Sequence, residues 1–424
     1  MAVKVETVGA QSGGFDLLSL TKAGVIYRDI STGKGKIPAS FDTYQVIEEG
    51  DLIMCLFDVD ETPRTVGRAR QHGMITGAYE RFVVKNGVLA EYVNWFYLSV
   101  DNVKGLRPLY RGLRKTVPID QFMASQFPVP PVEEQVAIVR YLAHANARIE
   151  KAIDAKRRLV ALLGELDRSV ENNLAGSIDA GMTDGIPIPW LGSVPPAWKT
   201  IPAKRLFKEV DRRSVTGSEG LLSLRMREGL VDANDFTETP IPQESLVGYK
   251  IVLPGDIVMN RMRAAIGLFG VASKEGLVSP DYSTMTVADG VDPDFFLHLF
   301  KTDAAMAEFR RRSNGLGTGS SGFMRLYYED FGAISLPFPP LEVQRSVIVA
   351  IDKQRAETRP VRSRVLREID LLQEFRTRLV ADVVTGQVDV RSIAATLPDA
   401  PELIDNLVSD PDDDLDRVLN EGED

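Results

Sequence analysis

The sequence predicts a tandem α/β (α+β) fold: two related globular domains, each followed by one long helix, with the helices paired in a pseudo-two-fold molecule. Three observations predict it. The chain repeats itself in order at a period of about 200 residues. A proline-rich box closes each globular stretch. A heptad-like apolar pattern follows each box.

The repeat comes first because everything else is built on it. Phe127 to Gln135 reads FPVPPVEEQ and Leu336 to Gln344 reads LPFPPLEVQ, 209 positions apart. Tyr44 to Met54 (YQVIEEGDLIM) matches Tyr249 to Met259 (YKIVLPGDIVM) at 205, Leu17 to Leu20 matches Leu221 to Leu224 at 204, and Gly73 to Tyr79 matches Gly276 to Tyr282 at 203. Four blocks in one order are the mark of a duplicated domain; solenoid units are only about 20–50 residues long. A duplicated domain suits two related targets at a fixed separation.

Within one unit, Gly50–Met54 and Gly255–Met259 read as a turn entering a buried strand, and Arg81–Val84 and Ser283–Val287 read as further strands. Glu91–Val100 and Pro293–Phe300 suit short helices. Pro130-Pro131 and Pro339-Pro340 exclude helix upstream of themselves and allow one directly after, where Glu133, Glu134 and Glu342 suit the positive helix end. From Val132 to Leu174, Leu142, Ile149, Leu163 and Val170 share one heptad position, with Lys156 the polar intruder, while Ala145, Ala152, Leu159 and Leu166 share the other. The second copy offers Ile351, Val365, Leu372 and Leu379, with Val361 and Phe375 alongside, and Pro360 is expected to kink or break it. A seam of that length needs cover, and packing the two helices against each other supplies it. The competing reading is that each helix only covers its own domain.

These signals divide the chain into a first domain over 1–131, a helix and spacer over 132–180, a second domain over 187–340, a C-terminal helix over 341–385 and an acidic, disordered tail over 386–424. The net charge of −10 is concentrated there: Arg391–Asp424 holds eleven acidic and two basic residues, leaving 48 basic and 49 acidic elsewhere. The folded part is therefore near neutral and free to carry local basic patches. Cys55 is the single cysteine, which excludes a disulfide framework or a cysteine metal cluster, and no run is apolar enough for a signal core or membrane span. A cytoplasmic, reducing location is expected. One asymmetry stands out: the second unit has a lead-in, Trp198–Val210, for which the first has no room, so either the chain starts late or the first domain lacks an edge element.

The segments PVPPVEEQVAIVRYL and PFPPLEVQRSVIVAI, each behind an α/β domain, resemble the specificity subunits of Type I restriction–modification systems, and the resemblance covers nearly the whole chain except the tail. It implies two target-recognition domains that each read half of a bipartite double-stranded DNA site. It also implies an antiparallel coiled coil acting as a ruler between them. Two methyltransferase subunits using S-adenosylmethionine are implied as partners, together with a motor-nuclease subunit using ATP and Mg that can join. No cofactor is assigned to this chain itself.

Basic or glycine-rich loops just before each proline box match where that family touches DNA. In the first unit the candidates are Arg107, Arg111, Arg114 and Lys115; in the second they are Arg312, Gly319, Ser320, Ser321 and Arg325. Arginine neutralises phosphate or forks onto guanine, and glycine lets backbone amides approach. A second set lies on or beside strands: Arg64, Arg68 and Arg70, then Arg225, Arg227, Arg261 and Arg263, with Arg261 and Arg263 expected to alternate onto one face. Any of these is equally readable as an ordinary solvated side chain. Helix-interface candidates are Leu142, Ile149, Leu159, Leu163, Leu166, Val170, Ile351, Val365, Leu372, Phe375 and Leu379.

No catalytic or metal residue is expected. His72, His144 and His298 lack ligand spacing, no aminomethyltransferase or phosphate-loop motif occurs, and Gly317-x-Gly319-x-x-Gly322 follows three arginines rather than a buried strand. The alternative function is a coiled-coil protein-interaction scaffold without DNA contact.

Overall fold

Gly50 and Gly255 both adopt a left-handed backbone, with φ of 91° and 90°. The aspartate after each turns its carboxylate back on the chain: Asp51 Oδ2 accepts from the Glu48 N–H and Asp256 Oδ2 from the Leu253 N–H, both at 2.8 Å. A glycine for the turn, an aspartate to close it and three apolar residues to enter the core explain why Gly-Asp precedes a buried strand in both units.

The computed structural model describes residues 1–29, 40–175, 185–226, 228–236, 241–315 and 324–398. It divides into two compact units: 1–157 with the described residues from 366 onward, and 158–365. Among the described residues, no helix is long and apolar enough to cross a membrane.

Unit 1 contains β1 (Ala2–Val3), β2 (Leu18–Thr21), β3 (Gly24–Tyr27), β4 (Gln45–Ile47), β5 (Leu52–Met54), β6 (Val66–Arg68), β7 (Gly73–Ile75) and β8 (Glu80–Val83). Helices α1 (Ala90–Asn102) and α2 (Ile119–Ala124) follow, and then the start of α3 (Val132–Ala175). The main sheet is antiparallel in the order β1-β8-β5-β6; β2-β3 and β4-β7 form separate pairs, and a parallel bridge joins Leu17 to Met74.

Unit 2 repeats the plan. It contains β9 (Ile186–Ile188), β10 (Gly192–Val194), β11 (Lys199–Pro202), α4 (Ala203–Leu206), β12 (Phe207–Val210), β13 (Leu222–Arg225), β14 (Gly229–Asp232), β15 (Lys250–Val252), β16 (Ile257–Asn260), β17 (Phe269–Val271), β18 (Gly276–Val278) and β19 (Tyr282–Val287). After these come α5 (Pro293–Phe300), α6 (Asp303–Arg312), α7 (Tyr328–Gly332), β20 (Ser335–Phe338) and most of α8 (Leu341–Val384). Its sheet order, β12-β19-β16-β17, its pairs β13-β14 and β15-β18, and its parallel bridge Leu221–Leu277 match unit 1 one for one. The two units differ at one edge. In unit 1 the two-residue β1 takes the edge that the four-residue β12 holds in unit 2, and residues 126–129, which match β20, form no strand.

Both proline boxes end on a fully buried glutamine. Gln135 Oε1 accepts from the Leu89 N–H at 2.8 Å while its Nε2 donates to the carbonyls of Gly87 and Pro130. Gln344 does the same with Asp292 N–H at 2.7 Å and the carbonyls of Gly290 and Pro339. The box therefore ties each long helix to the loop that opens the short helix of its own unit. The proline carbonyls start the helices: Pro131 O accepts from Glu134 and Gln135, Pro340 O from Val343 and Gln344.

Burial along the long helices departs from the expected pattern by a single residue at its second position. Leu142 and Ile149 are buried and Leu163 and Val170 half-buried, as the first heptad position requires. At the second position Ala145 and Ala152 are half-buried, but the two leucines expected with them are not. Leu159 and Leu166 are 41% and 45% exposed, whereas Ile153 is 1% exposed and Val160 and Asp167 are half-buried. In α8, likewise, Ile351 and Val365 are buried and Leu372 and Leu379 half-buried, but Phe375 is 54% exposed and its neighbour Arg376 faces inward. Four of the inward positions carry charge (Lys156, Asp167, Arg362 and Arg376), so an apolar search settles on the adjacent leucines and Phe375 instead.

Two further expectations change. Pro360 neither ends nor divides α8, which runs unbroken from Leu341 to Val384. The helix loses one backbone hydrogen bond there at an exposed position. The expectation of disorder from 386 fails over 386–398: α9 (Arg391–Ala394) forms, and Val390, 2% exposed, joins the unit 1 core with Val380, Val383 and Val384. The rest of the tail, from 399, lies outside the described residues.

Candidate nucleic-acid interface

The loop before each proline box is closed by the same device. In unit 1, Arg111 and Thr116 exchange backbone hydrogen bonds at 2.8 and 3.1 Å, making a tight hairpin whose turn is eased by Gly112 at φ 66°. Leu113 and Arg114 form its fully solvated tip. In unit 2, Asn314 and Arg325 exchange the same pair at 2.9 Å each, pinching the base of the longer glycine-rich loop. Gly319, Ser320 and Ser321 fall within that loop and lie outside the described residues.

Acidic neighbours unseen in the sequence reading occupy much of the positive charge. Asp60 takes Arg107 Nε at 3.1 Å, the Tyr110 hydroxyl at 3.1 Å and Lys115 Nζ at 3.1 Å. The Arg107 guanidinium, then the Lys115 ammonium, hold its carboxyl at about 2. Lost hydration, then the bond to Asp60, push the Tyr110 phenol up to about 12. Arg114 lies 3.9 Å from Asp58 and is 81% exposed, and Arg111 is exposed with no ion pair among the described residues. In unit 2, Asp281 takes Arg325 Nη1 at 3.1 Å, and Arg261 donates to the backbone oxygens of Asp281 and Pro280 at 2.5 and 3.3 Å. Arg312 and Arg311 both bind Glu308, at 2.6 and 2.7 Å. Asp58, Asp60, Asp281 and Glu308 were missed because three of the four lie more than 40 residues from at least one of the cations they meet.

The strand-borne arginines are mostly engaged. Arg68 meets Glu91 of α1 at 3.0 Å. Arg64 is half-buried; loss of water depresses its pKa, with Asp101 opposing and Arg376 adding to the shift. Arg70 is exposed. Arg225 stacks on the Phe236 ring at 3.9 Å, a cation–π contact, and Arg227 lies outside the described residues. The expected alternation of Arg261 and Arg263 fails because β16 ends at Asn260, whose Oδ1 accepts from the Met262 and Arg263 amides and turns the chain. Among the candidate arginines of unit 1, Arg70, Arg107, Arg111 and Arg114 are exposed, Arg107 being held by Asp60, and in unit 2 Arg325 is held by Asp281.

No protein-family model matches the sequence, and no curated protein matches it. Solved structures do. One, from work on complex assembly and conformational transition of the type I R-M system, shares 14% identity with a TM-score of 0.59, covering 88% of this chain and 92% of that one. The HsdS subunit from Thermoanaerobacter tengcongensis gives 15% identity, a TM-score of 0.41 and coverage of 92% and 95%. The Type-I restriction-modification S subunit from M. genitalium gives 11%, 0.35, and 89% and 90%. The chain shares its fold, over most of its length, with a component of a type I restriction–modification system.

Proposed function

We propose that this chain is a non-catalytic, sequence-specific DNA-binding specificity subunit. Each recognition domain (1–131 and 187–340) reads one half of a bipartite site, and the long helices set the spacer as an antiparallel coiled coil. Methyltransferase subunits carrying S-adenosylmethionine dock on this scaffold, and a motor-nuclease subunit using ATP and Mg can join them.

The observation that carries the reading is the residue-level equivalence of the two units: the same sheet order, the same glutamine clamp and the same bridge-closed loop. Two copies of one reader favour two related targets. The helix contacts support antiparallel pairing. In unit 1 Glu150 meets Arg376 and Lys156 meets Glu368; in unit 2 Asp167 meets Arg362 at 2.7 Å and Thr358 at 2.8 Å, and Glu171 meets Arg355. Numbers rise along one helix as they fall along the other.

The test is a band-shift on random duplex across a salt series, followed by methylome sequencing with and without the chain to define the site. Binding should weaken steeply with salt as counterion release demands, and strengthen when methyltransferase subunits are added. One base pair added to the spacer shifts the half-sites by about 3.4 Å and should abolish specific binding. Indifference to the spacer would refute the ruler; no salt-dependent binding at all would leave a protein-interaction scaffold.

A further inference from the structure

The two long helices are each 44 residues, unbroken, and start at matching places after their proline boxes, Val132 and Leu341. Positions 209 apart are therefore equivalent along both, and Glu171 on α3 corresponds to Val380 on α8. The short helices align as well. Leu89 and Asp292 donate to the two box glutamines, and α1 and α5 each begin at the next residue, so Trp95 corresponds to His298.

In both units the end of a long helix meets the short helix, but by different chemistry. In unit 1, Val380, Val383 and Val384 share one apolar cluster with Tyr92, and Trp95 packs against it. In unit 2, the buried Glu171 accepts from His298 Nδ1 at 3.0 Å and from the Arg355 guanidinium. Burial alone would raise the Glu171 carboxyl; the His298 bond, then the Arg355 charge, outweigh it and hold the group below its ordinary range. The next residue, Asn172, donates to Asp303 Oδ2 at 2.8 Å and accepts from the Asp303 N–H at 3.0 Å, where α6 begins. Two consecutive residues of α3 thus hold α5, α6 and α8 through directional bonds.

Apolar burial has no direction, so helices joined by it slide or roll slightly at little cost. Hydrogen bonds weaken steeply with misalignment. A buried charge network is also a poor source of stability, since apolar residues of similar volume often serve as well or better. Unit 1 makes the same joint with valine. What the network adds is a single orientation. We infer that Glu171 is a positioning residue: with His298, Arg355 and Asn172 it fixes the second domain on the end of α3, and the spacer the chain accepts depends on this joint. The inference rests on the specificity-subunit reading and adds a residue-level device to it.

The test transplants the unit 1 pair into unit 2. Full-length Glu171→Val/His298→Trp, with its methyltransferase partner, is titrated with duplexes whose half-sites are separated by the native spacer or by one base pair more or less. Its preference for the native spacer should fall about tenfold, the scale of one charged hydrogen bond. Glu171→Gln keeps the volume and an acceptor for His298, and should retain most of the preference. Val380→Ala should lower the urea midpoint and leave the preference alone. If tryptophan does not fit, Glu171→Val/His298→Leu keeps the joint apolar at smaller volume and should relax the spacer equally.

Spin labels give a readout without DNA. Glu165→Cys on α3 and Glu275→Cys before β18 are both exposed, and Cys55 is buried. The distance between the labels should be narrowly distributed in wild type and Glu171→Gln, and broader in the transplant. An unchanged spacer preference in the transplant would overturn the inference, as would an equal relaxation in Val380→Ala or an unbroadened distance. If wild type shows no spacer preference, the ruler fails as a reading, and the label distances still decide whether Glu171 fixes the domain on α3.

Discussion

A buried glutamine with three partners is demanding, because each partner left behind after truncation is a polar group without water. Gln135 satisfies the Leu89 N–H and the carbonyls of Gly87 and Pro130 from a fully buried site. Gln135→Ala should therefore lower stability by about 2–4 kcal/mol, read as a lower urea midpoint, and Gln344→Ala should do the same in unit 2. A loss below about 0.5 kcal/mol would mean that water replaces the side chain. Asp60 makes a prediction about acid. Its carboxyl is held at about 2, below the ordinary value of 3.8, so the loop contacts it makes are complete above pH 4 and disappear as pH falls toward 2. Backbone exchange over 107–116, corrected for intrinsic rates, should lose protection across that window and no higher. At this scale the sequence was partly legible. The box glutamines were visible because they recur, whereas Asp60 and Asp281 were not, because Asp60 meets its cations across 47 and 55 positions and Asp281 meets Arg325 across 44, which leaves no local pattern.

The helices show where periodicity misleads. Leu142, Ile149, Leu163 and Val170 could be read correctly, since one heptad position is apolar throughout except for Lys156. The other position is shared by Ile153, Val160 and Asp167, and its partner on α8 includes Arg362 and Arg376, which find acids across the seam. Burying matched charge removes the apolar signal from the sequence, and the exposed Leu159, Leu166 and Phe375 next door supply a false one. Mutagenesis separates the two phases. Ile153→Ala should cost about 2–4 kcal/mol, as expected for a large-to-small change at a fully buried site, and Leu166→Ala less than about 1 kcal/mol. Chemical denaturation of the two variants decides it; equal losses would restore the phase predicted from sequence. The strands were easier, because a Gly-Asp turn before three apolar residues leaves few other outcomes.

At the scale of the molecule, the duplication was the most legible feature, and the closure of unit 1 the least. Composition marked everything after 385 as tail because acidic residues dominate it. Packing divides that stretch in two. Val390 is buried in the core of unit 1 beside residues that include Tyr92 and Phe122, Arg391 lies 3.9 Å from Glu134, and the Pro398 carbonyl reaches His144 at 3.1 Å. Unit 1 is thus completed by chain more than 200 positions downstream, which no window along the sequence can reveal. Truncation should expose the division. Ending the chain after Thr385 removes the Val390 contact, worth about 1.5–3 kcal/mol of apolar burial, and opens the surface around Tyr92, whose hydroxyl reaches Pro128 O at 2.9 Å and Val384 O at 3.4 Å. Hydrogen exchange over α1 and the start of α3 should quicken in that variant, with β12, β16 and β19 of unit 2 unaffected. Ending after Pro398 leaves every one of these contacts in place and should match the full chain in the same measurement. If both truncations behave alike, Val390 contributes nothing that unit 1 requires. If only the shorter one loosens α1, the fold of unit 1 depends on a segment far along the chain.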